Sequence, residues 1–111
     1  MSDVRVIIIN PLLKVVREDR IKKPTLQSMQ RIVNGKLDLI RDLTVKGIQV
    51  DTWVNDEFLF IDEPACYVGE FMIKGNAILA SYDPNTGNTV DLHPLIKVEH
   101  IQEIVRFPEV H

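Results

Sequence analysis

Residues 4–9 read Val-Arg-Val-Ile-Ile-Ile and run directly into Asn10-Pro11. All but one of these six positions are β-branched, which stiffens the side chains and favours a pleated backbone, and the Asn-Pro step ends the run. The segment is far too short to cross a bilayer, so a chain that carries it is expected to bury it as a central strand. Residues 12–20 set Leu13, Val15 and Val16 among charges. They are expected to form a second strand, paired with the first as a hairpin.

A chain of 111 residues, 45% of them hydrophobic, has the size of one domain around a single core, spanning residues 1–111. With 26% charged residues and a mean hydropathy near zero, neither a disordered chain nor a membrane protein is expected. The amino terminus lacks a basic region followed by an apolar signal core. The expected location is therefore cytoplasmic. The expected fold class is α+β: a mixed or mainly antiparallel sheet with two or three short helices packed on it.

Residues 25–35 are the best-specified element. Thr25 is expected to cap a helix whose Leu26, Met29, Ile32 and Val33 share a face, and Gly35 to end it in the left-handed conformation. Leu37 and Leu39 then alternate with polar neighbours as a strand, and Lys46-Gly47 marks a turn. Two strands are expected next, one through Ile48, Val50, Trp53 and Val54, the other over residues 58–61, joined tightly at Asn55-Asp56. Asp62-Glu63-Pro64 reads as a helix start, with about two turns over residues 65–72. Residues 76–82 read as a strand, 83–88 as a turn and 89–92 as its antiparallel return. Val98, Ile101, Ile104 and Val105 space as a final helix stopped near Pro108.

Chemistry is concentrated in residues 51–63, where Asp51, Asp56, Glu57, Asp62 and Glu63 surround an apolar run and the only tryptophan, Trp53. A hard-cation site or a general acid/base pair would need these carboxylates to converge. Turn acids and a helix cap are the simpler expectation. Asp83, Asn85 and Asp91 imitate a calcium loop only weakly, because Gly87, Asn88 and Pro94 stand at positions where its ligands and glycine belong. Cys66 is the only cysteine and has no basic neighbour in sequence, so a small buried residue is expected rather than a nucleophile. His93, His100 and His111 lack zinc-helix spacing; His93 reads as a turn residue, His100 as a polar-face residue. There is no phosphate loop, nucleophile elbow or dinucleotide fingerprint. No catalytic residue, metal or cofactor is expected, and the chain is read as a non-enzyme.

Net charge is −3, unevenly spread: residues 1–24 carry +3 and the remainder −6. Lys14, Arg17, Arg20, Lys22 and Lys23 make most of the basic part, without the aromatic or glycine interleaving of a nucleic-acid surface. The simpler expectation is a strand edge protected from pairing with other chains.

The order of features also carries a resemblance. A first strand ending at Pro11, the helix TLQSMQRIVNG with strand LDLI directly after it, then VNDE, IDEPA, and KGNAILAS leading to the DPNTG turn resemble a family known as domain of unknown function 3846. The resemblance covers most of residues 4–92, and departs from the family at Phe58, where many members have glycine. It implies a gene product of phages, plasmids or conjugative elements, and it transfers no activity or catalytic residue. The resulting expectation is a binding module that contacts a host or element-encoded macromolecule, in host takeover or counter-defence. Its contact surface would draw on Trp53, Phe58, Phe60 and Tyr67 with Asp56 and Glu57. A protein is the expected partner, with a homodimer also open; nucleic acid and membrane are not expected. The alternative is a small-ligand binder that sequesters a nucleotide or metabolite around Trp53 and Tyr82, with Arg5, Arg41 or the basic arm supplying charge.

Overall fold

The computed structural model describes residues 3–108. In chain order these form β1 (Asp3–Asn10), β2 (Val15–Lys22), α1 (Thr25–Val33), β3 (Leu37–Val45), β4 (Ile48–Asn55), β5 (Ala65–Val68), β6 (Phe71–Lys74), β7 (Ala77–Tyr82), β8 (Thr89–Val90), α2 (Val98–Ile104) and β9 (Val105–Arg106). The main sheet has the order β2-β1-β7-β4-β3, with β8 added on β7, and a smaller sheet has the order β6-β5-β9. Every strand pair is antiparallel. The fold is α+β.

The period of two along β1 builds both halves of the core. Val4, Val6 and Ile8 face α1, where they pack with Ile21, Ile78, Ala80, Met29 and Val33. Ile7 and Ile9 face the opposite way, into a cluster with Cys66, Val68 and Ile73 of the small sheet and with Leu92, Ile96 and Ile101. An unbroken apolar run is thus what a strand covered on both faces requires. The β1 and β2 segments form the expected hairpin, in register from Asp3↔Lys22 to Asn10↔Val15, although its second strand begins at Val15 and Leu12 and Leu13 belong to the turn. Because β2 is an edge strand, its charges fall on the sheet margin, as a protected edge demands. Arg20 bonds Asp3, and Arg17 bonds Asp19. Those hydrogen bonds hold both carboxyls below their ordinary range.

The turn at Lys46-Gly47 has positive φ at both positions, the backbone that a two-residue hairpin loop with right-handed strand twist needs. The turn after Tyr82 is also as expected: Asp83 Oδ1 accepts the Asn85 amide at 2.9 Å, and Gly87 takes φ +75°.

Four expectations are corrected. Residues 58–61 are not a strand: the Phe60 and Ile61 amides bond back to the Glu57 carbonyl, so the segment is a series of turns. Residues 65–72 are not a helix begun by Asp62-Glu63-Pro64. They hold a hairpin in which Val68 pairs Phe71 across Gly69-Glu70, with Gly69 at φ +59°. The alternation of Cys66, Val68 and Ile73 toward the core outweighs the helix-start signal, since a two-turn helix could not bury all three. Thr25 makes no capping bond, and Pro24 is the residue at the N-cap of α1. The left-handed residue that ends α1 is Asn34, at φ 61° and ψ 47°, and not Gly35.

Glycine is the residue that adopts this backbone at least cost. Asn34→Gly is therefore expected to be neutral or to stabilise by up to about 1 kcal/mol in chemical denaturation.

Candidate contact surface

Because β1 and β4 are both antiparallel to β7, their carboxy-terminal ends lie at the same end of the main sheet. Residues that leave β1 and β4, residues that begin β7, and the end of α1 meet there. Two asparagines hold this end together. Asn55, the last residue of β4, donates from Nδ2 to the Val33 and Asn34 carbonyls at 3.2 Å each, and its Oδ1 accepts the Glu57 amide at 2.8 Å. Asn76 donates from Nδ2 to the Ile32 carbonyl at 2.9 Å. Three consecutive carbonyls at the end of α1, which the helix itself cannot satisfy, thus receive side-chain donors from two strands. Gly35 lets Asn55 approach: a Cβ there would lie 2.5 Å from Asn55 Nδ2.

Asn55 also launches the 56–64 connection, which travels over this end before entering β5. At its far side the Gly75 amide bonds the Pro64 carbonyl at 2.9 Å. Gly75 has φ +81°, and a Cβ there would meet the Glu63 carboxylate at 2.5 Å. A cleft of about 360 Å3 lies between this connection and the β1–β2 turn, lined by Asn10, Pro11, Leu12, Glu63, Gly75 and Asn76 among others.

Apolar side chains stand in solvent on both loops that border that cleft. Phe60 is 87% exposed and Leu59 53%, while Leu12 and Leu13 on the β1–β2 turn are 72% and 67% exposed. Isolated exposed leucines are ordinary, whereas four large apolar side chains on two loops at one end of a small domain match a contact surface. Asp56, Glu57, Asp62 and Glu63 rim it, all exposed.

The other aromatic candidates are placed differently. Phe58 and Trp53 are half-buried against the two core clusters. Tyr67 is half-buried on β5, with the Arg106 guanidinium 5.0 Å from its ring centre. Tyr82 ends β7 and lies under Arg41, 4.2 Å from its ring centre. Leu12, Leu13 and Leu59 were not sequence candidates. Their signal was two leucines directly after Asn-Pro, at a turn and ahead of a charged strand.

The acids do not converge. Asp51 is buried on β4 and paired with Arg41 at 3.1 Å, and Asp91 Oδ1 accepts the Arg5 amide at 2.8 Å. Among the described residues no three His, Cys, Asp or Glu side chains are grouped to hold a metal ion. His93 Nδ1 accepts the Leu95 amide, as a turn residue does, and His100 Nδ1 accepts the Lys97 amide at the start of α2. His111 lies outside the described residues.

Cys66 is fully buried, and burial pushes its thiol up from 9.0 to about 11. A thiol reagent at pH 8 is expected to label it only as fast as the protein opens, and labelling at the rate of a free thiol would contradict this. The sign of the pH effect follows. The unfolded thiol ionises near pH 9 while the folded one stays neutral, so this contribution to stability is full below pH 9 and is lost as pH rises toward about 11.

Among the described residues no helix is long and apolar enough to cross a membrane. A family model described as Domain of unknown function (DUF3846) matches residues 4–106. The chain belongs to that family. Comparison with curated proteins and with solved structures gives no match. Several of the residues that carry the DUF3846 resemblance meet at this end: Gly35 against Asn55, Pro64 against Gly75, and Asn76 on α1. In this DUF3846 domain their work is to tie α1, β4 and β7 together beneath the loop that carries Phe60.

Proposed function

We infer that this domain is a non-enzymatic binding module that engages a protein through the end of the main sheet, with Phe60, Leu59, Leu12 and Leu13 as the apolar centre and Asp56, Glu57, Asp62 and Glu63 as the rim. The observation that carries the reading is the exposure of Phe60 at 87% on a loop that is anchored at both ends. An aromatic side chain held out on a fixed loop is the type of anchor that dominates binding energy once a partner pocket covers it. The acidic rim favours a partner surface that is basic around an apolar pocket. Host takeover or counter-defence by a mobile element is the setting in which we place that contact.

The sequestering alternative receives less support. Trp53, around which a ligand would be expected, is instead packed against the core cluster that faces α1.

Phe60→Asp and Leu13→Asp test the reading. Each is expected to change stability by less than about 0.5 kcal/mol, because neither side chain is buried in the free domain. Each is expected to abolish co-purification of a partner that the parent chain retains. Retention by both variants, with folding intact by circular dichroism, would overturn the proposal.

A further inference from the structure

Arg41 lies where β3 carries one extra residue against β4. The register steps from Ile40↔Thr52 to Leu43↔Val50, so Arg41 and Asp42 together oppose Asp51. Bulges re-aim side chains. Here Arg41 Nε donates to Asp51 Oδ1 at 3.1 Å, and the guanidinium carbon lies over the Tyr82 ring, 4.2 Å from its centre.

The way the pair is made is informative. Asp51 is 3% exposed, and its Oδ2 has no donor among the described residues. An arginine whose task was to neutralise a buried carboxylate would offer two parallel N–H bonds, one to each oxygen. Arg41 instead gives a single bond from Nε, and its terminal Nη groups have no partner among the described residues. Its side chain is 43% exposed. Asp51 holds the guanidinium at Nε and Tyr82 lies against it, while no described residue accepts from Nη1 or Nη2.

We propose that Arg41 is an anion-binding residue, with Asp51 and Tyr82 as its positioning residues, and that its ligand is a carboxylate. A carboxylate is planar and matches the arginine fork with two bonds. A doubly charged phosphate is disfavoured, since Asp42 and Asp83 directly follow Arg41 and Tyr82 in the chain. Holding the guanidinium in advance removes the ordering cost that a free surface arginine would meet on binding. Asp51 is four strand residues from Asn55, roughly 13 Å, so the site is separate from the contact surface and does not depend on it.

Trp53, the only tryptophan, provides the readout: it lies two residues from Asp51 on the same strand, and its buried Nε1 has no partner among the described residues. Sodium acetate is titrated against the whole chain at an ionic strength held constant with sodium chloride, following Trp53 fluorescence and the Arg41 Nε–H resonance. A saturable change in both signals is expected. Arg41→Lys keeps the charge but loses the fork, and is expected to bind acetate about tenfold more weakly. Tyr82→Leu, which removes the support but leaves the Asp51 pair, is expected to weaken binding as well. The proposal is overturned if chloride alone gives the same change, if folded Arg41→Lys binds as tightly as the parent, or if inorganic phosphate binds more tightly than acetate.

Discussion

Replacement of Arg5 by leucine is expected to lower stability by about 3 kcal/mol and the melting temperature by roughly 10 °C. The segment between β8 and α2 pairs with no strand, yet it carries Leu92 and Ile96 into the core. Arg5 is what fastens it. Its Nη1 donates to the Leu92 carbonyl at 2.9 Å and to the His93 carbonyl at 3.4 Å, its Nη2 to the Ile96 carbonyl at 2.6 Å, and its Nε to Glu18 at 2.8 Å. The Leu92 amide returns a bond to the Arg5 carbonyl at 2.9 Å. Leucine would preserve the apolar stem and strand propensity, but would strip the donor from partly buried carbonyls, which is the costly half of a broken hydrogen bond. Lysine is expected to recover little, because one ammonium cannot span carbonyls that the guanidinium reaches with separate nitrogens. Hydrogen exchange of the variant is expected to show protection lost first at residues 92–96. A loss below about 1 kcal/mol, with protection there unchanged, would contradict this role.

Asn55→Ala has the second large expected effect, about 2–3 kcal/mol by urea denaturation, since it leaves the Val33 and Asn34 carbonyls and the Glu57 amide without their side-chain partner. Its dependence on Gly35 is the sharper test. Gly35→Ala in the parent chain forces a methyl to within 2.5 Å of the Asn55 amide and is expected to cost about 1–3 kcal/mol. In the Asn55→Ala background that collision is gone, and the same substitution is expected to cost almost nothing. A coupling of at least about 1 kcal/mol is expected from the double-mutant cycle. Additive effects would show that Gly35 serves some other purpose than to admit Asn55.

The β framework of the fold was legible wherever one local signal had no rival. The run of β-branched residues in β1, the Lys46-Gly47 turn and the Asp83 to Asn88 turn each leave the backbone one inexpensive choice, and the structure has them as expected. Reading failed where a local signal competed with a long-range one. Asp62-Glu63-Pro64 is a good helix start in isolation, but residues 65–74 gain more by placing Cys66, Val68 and Ile73 on the core side of a hairpin. Phe58-Leu59-Phe60-Ile61 has strand composition, yet its amides turn back locally, Phe58 on the Asn55 carbonyl and Phe60 and Ile61 on that of Glu57. The same error hid the contact surface. A strand would have buried half of these side chains, whereas the turns leave Leu59 and Phe60 in solvent. Asn55 and Gly35 were legible as motif residues and not as partners, because the 19 residues between them conceal that one exists to make room for the other.

The domain's proposed role stands on the end of the sheet that carries Phe60, and site-specific photo-cross-linking inside cells that express the chain tests it most directly. A photoreactive phenylalanine analogue is placed at position 60, at position 13 and, as a control, at position 26, where Leu26 is also exposed but belongs to α1 near the other end. The account predicts that positions 60 and 13 capture the same protein and that position 26 does not. Capture of one protein from position 26 alone, or equally from all three positions, would contradict it.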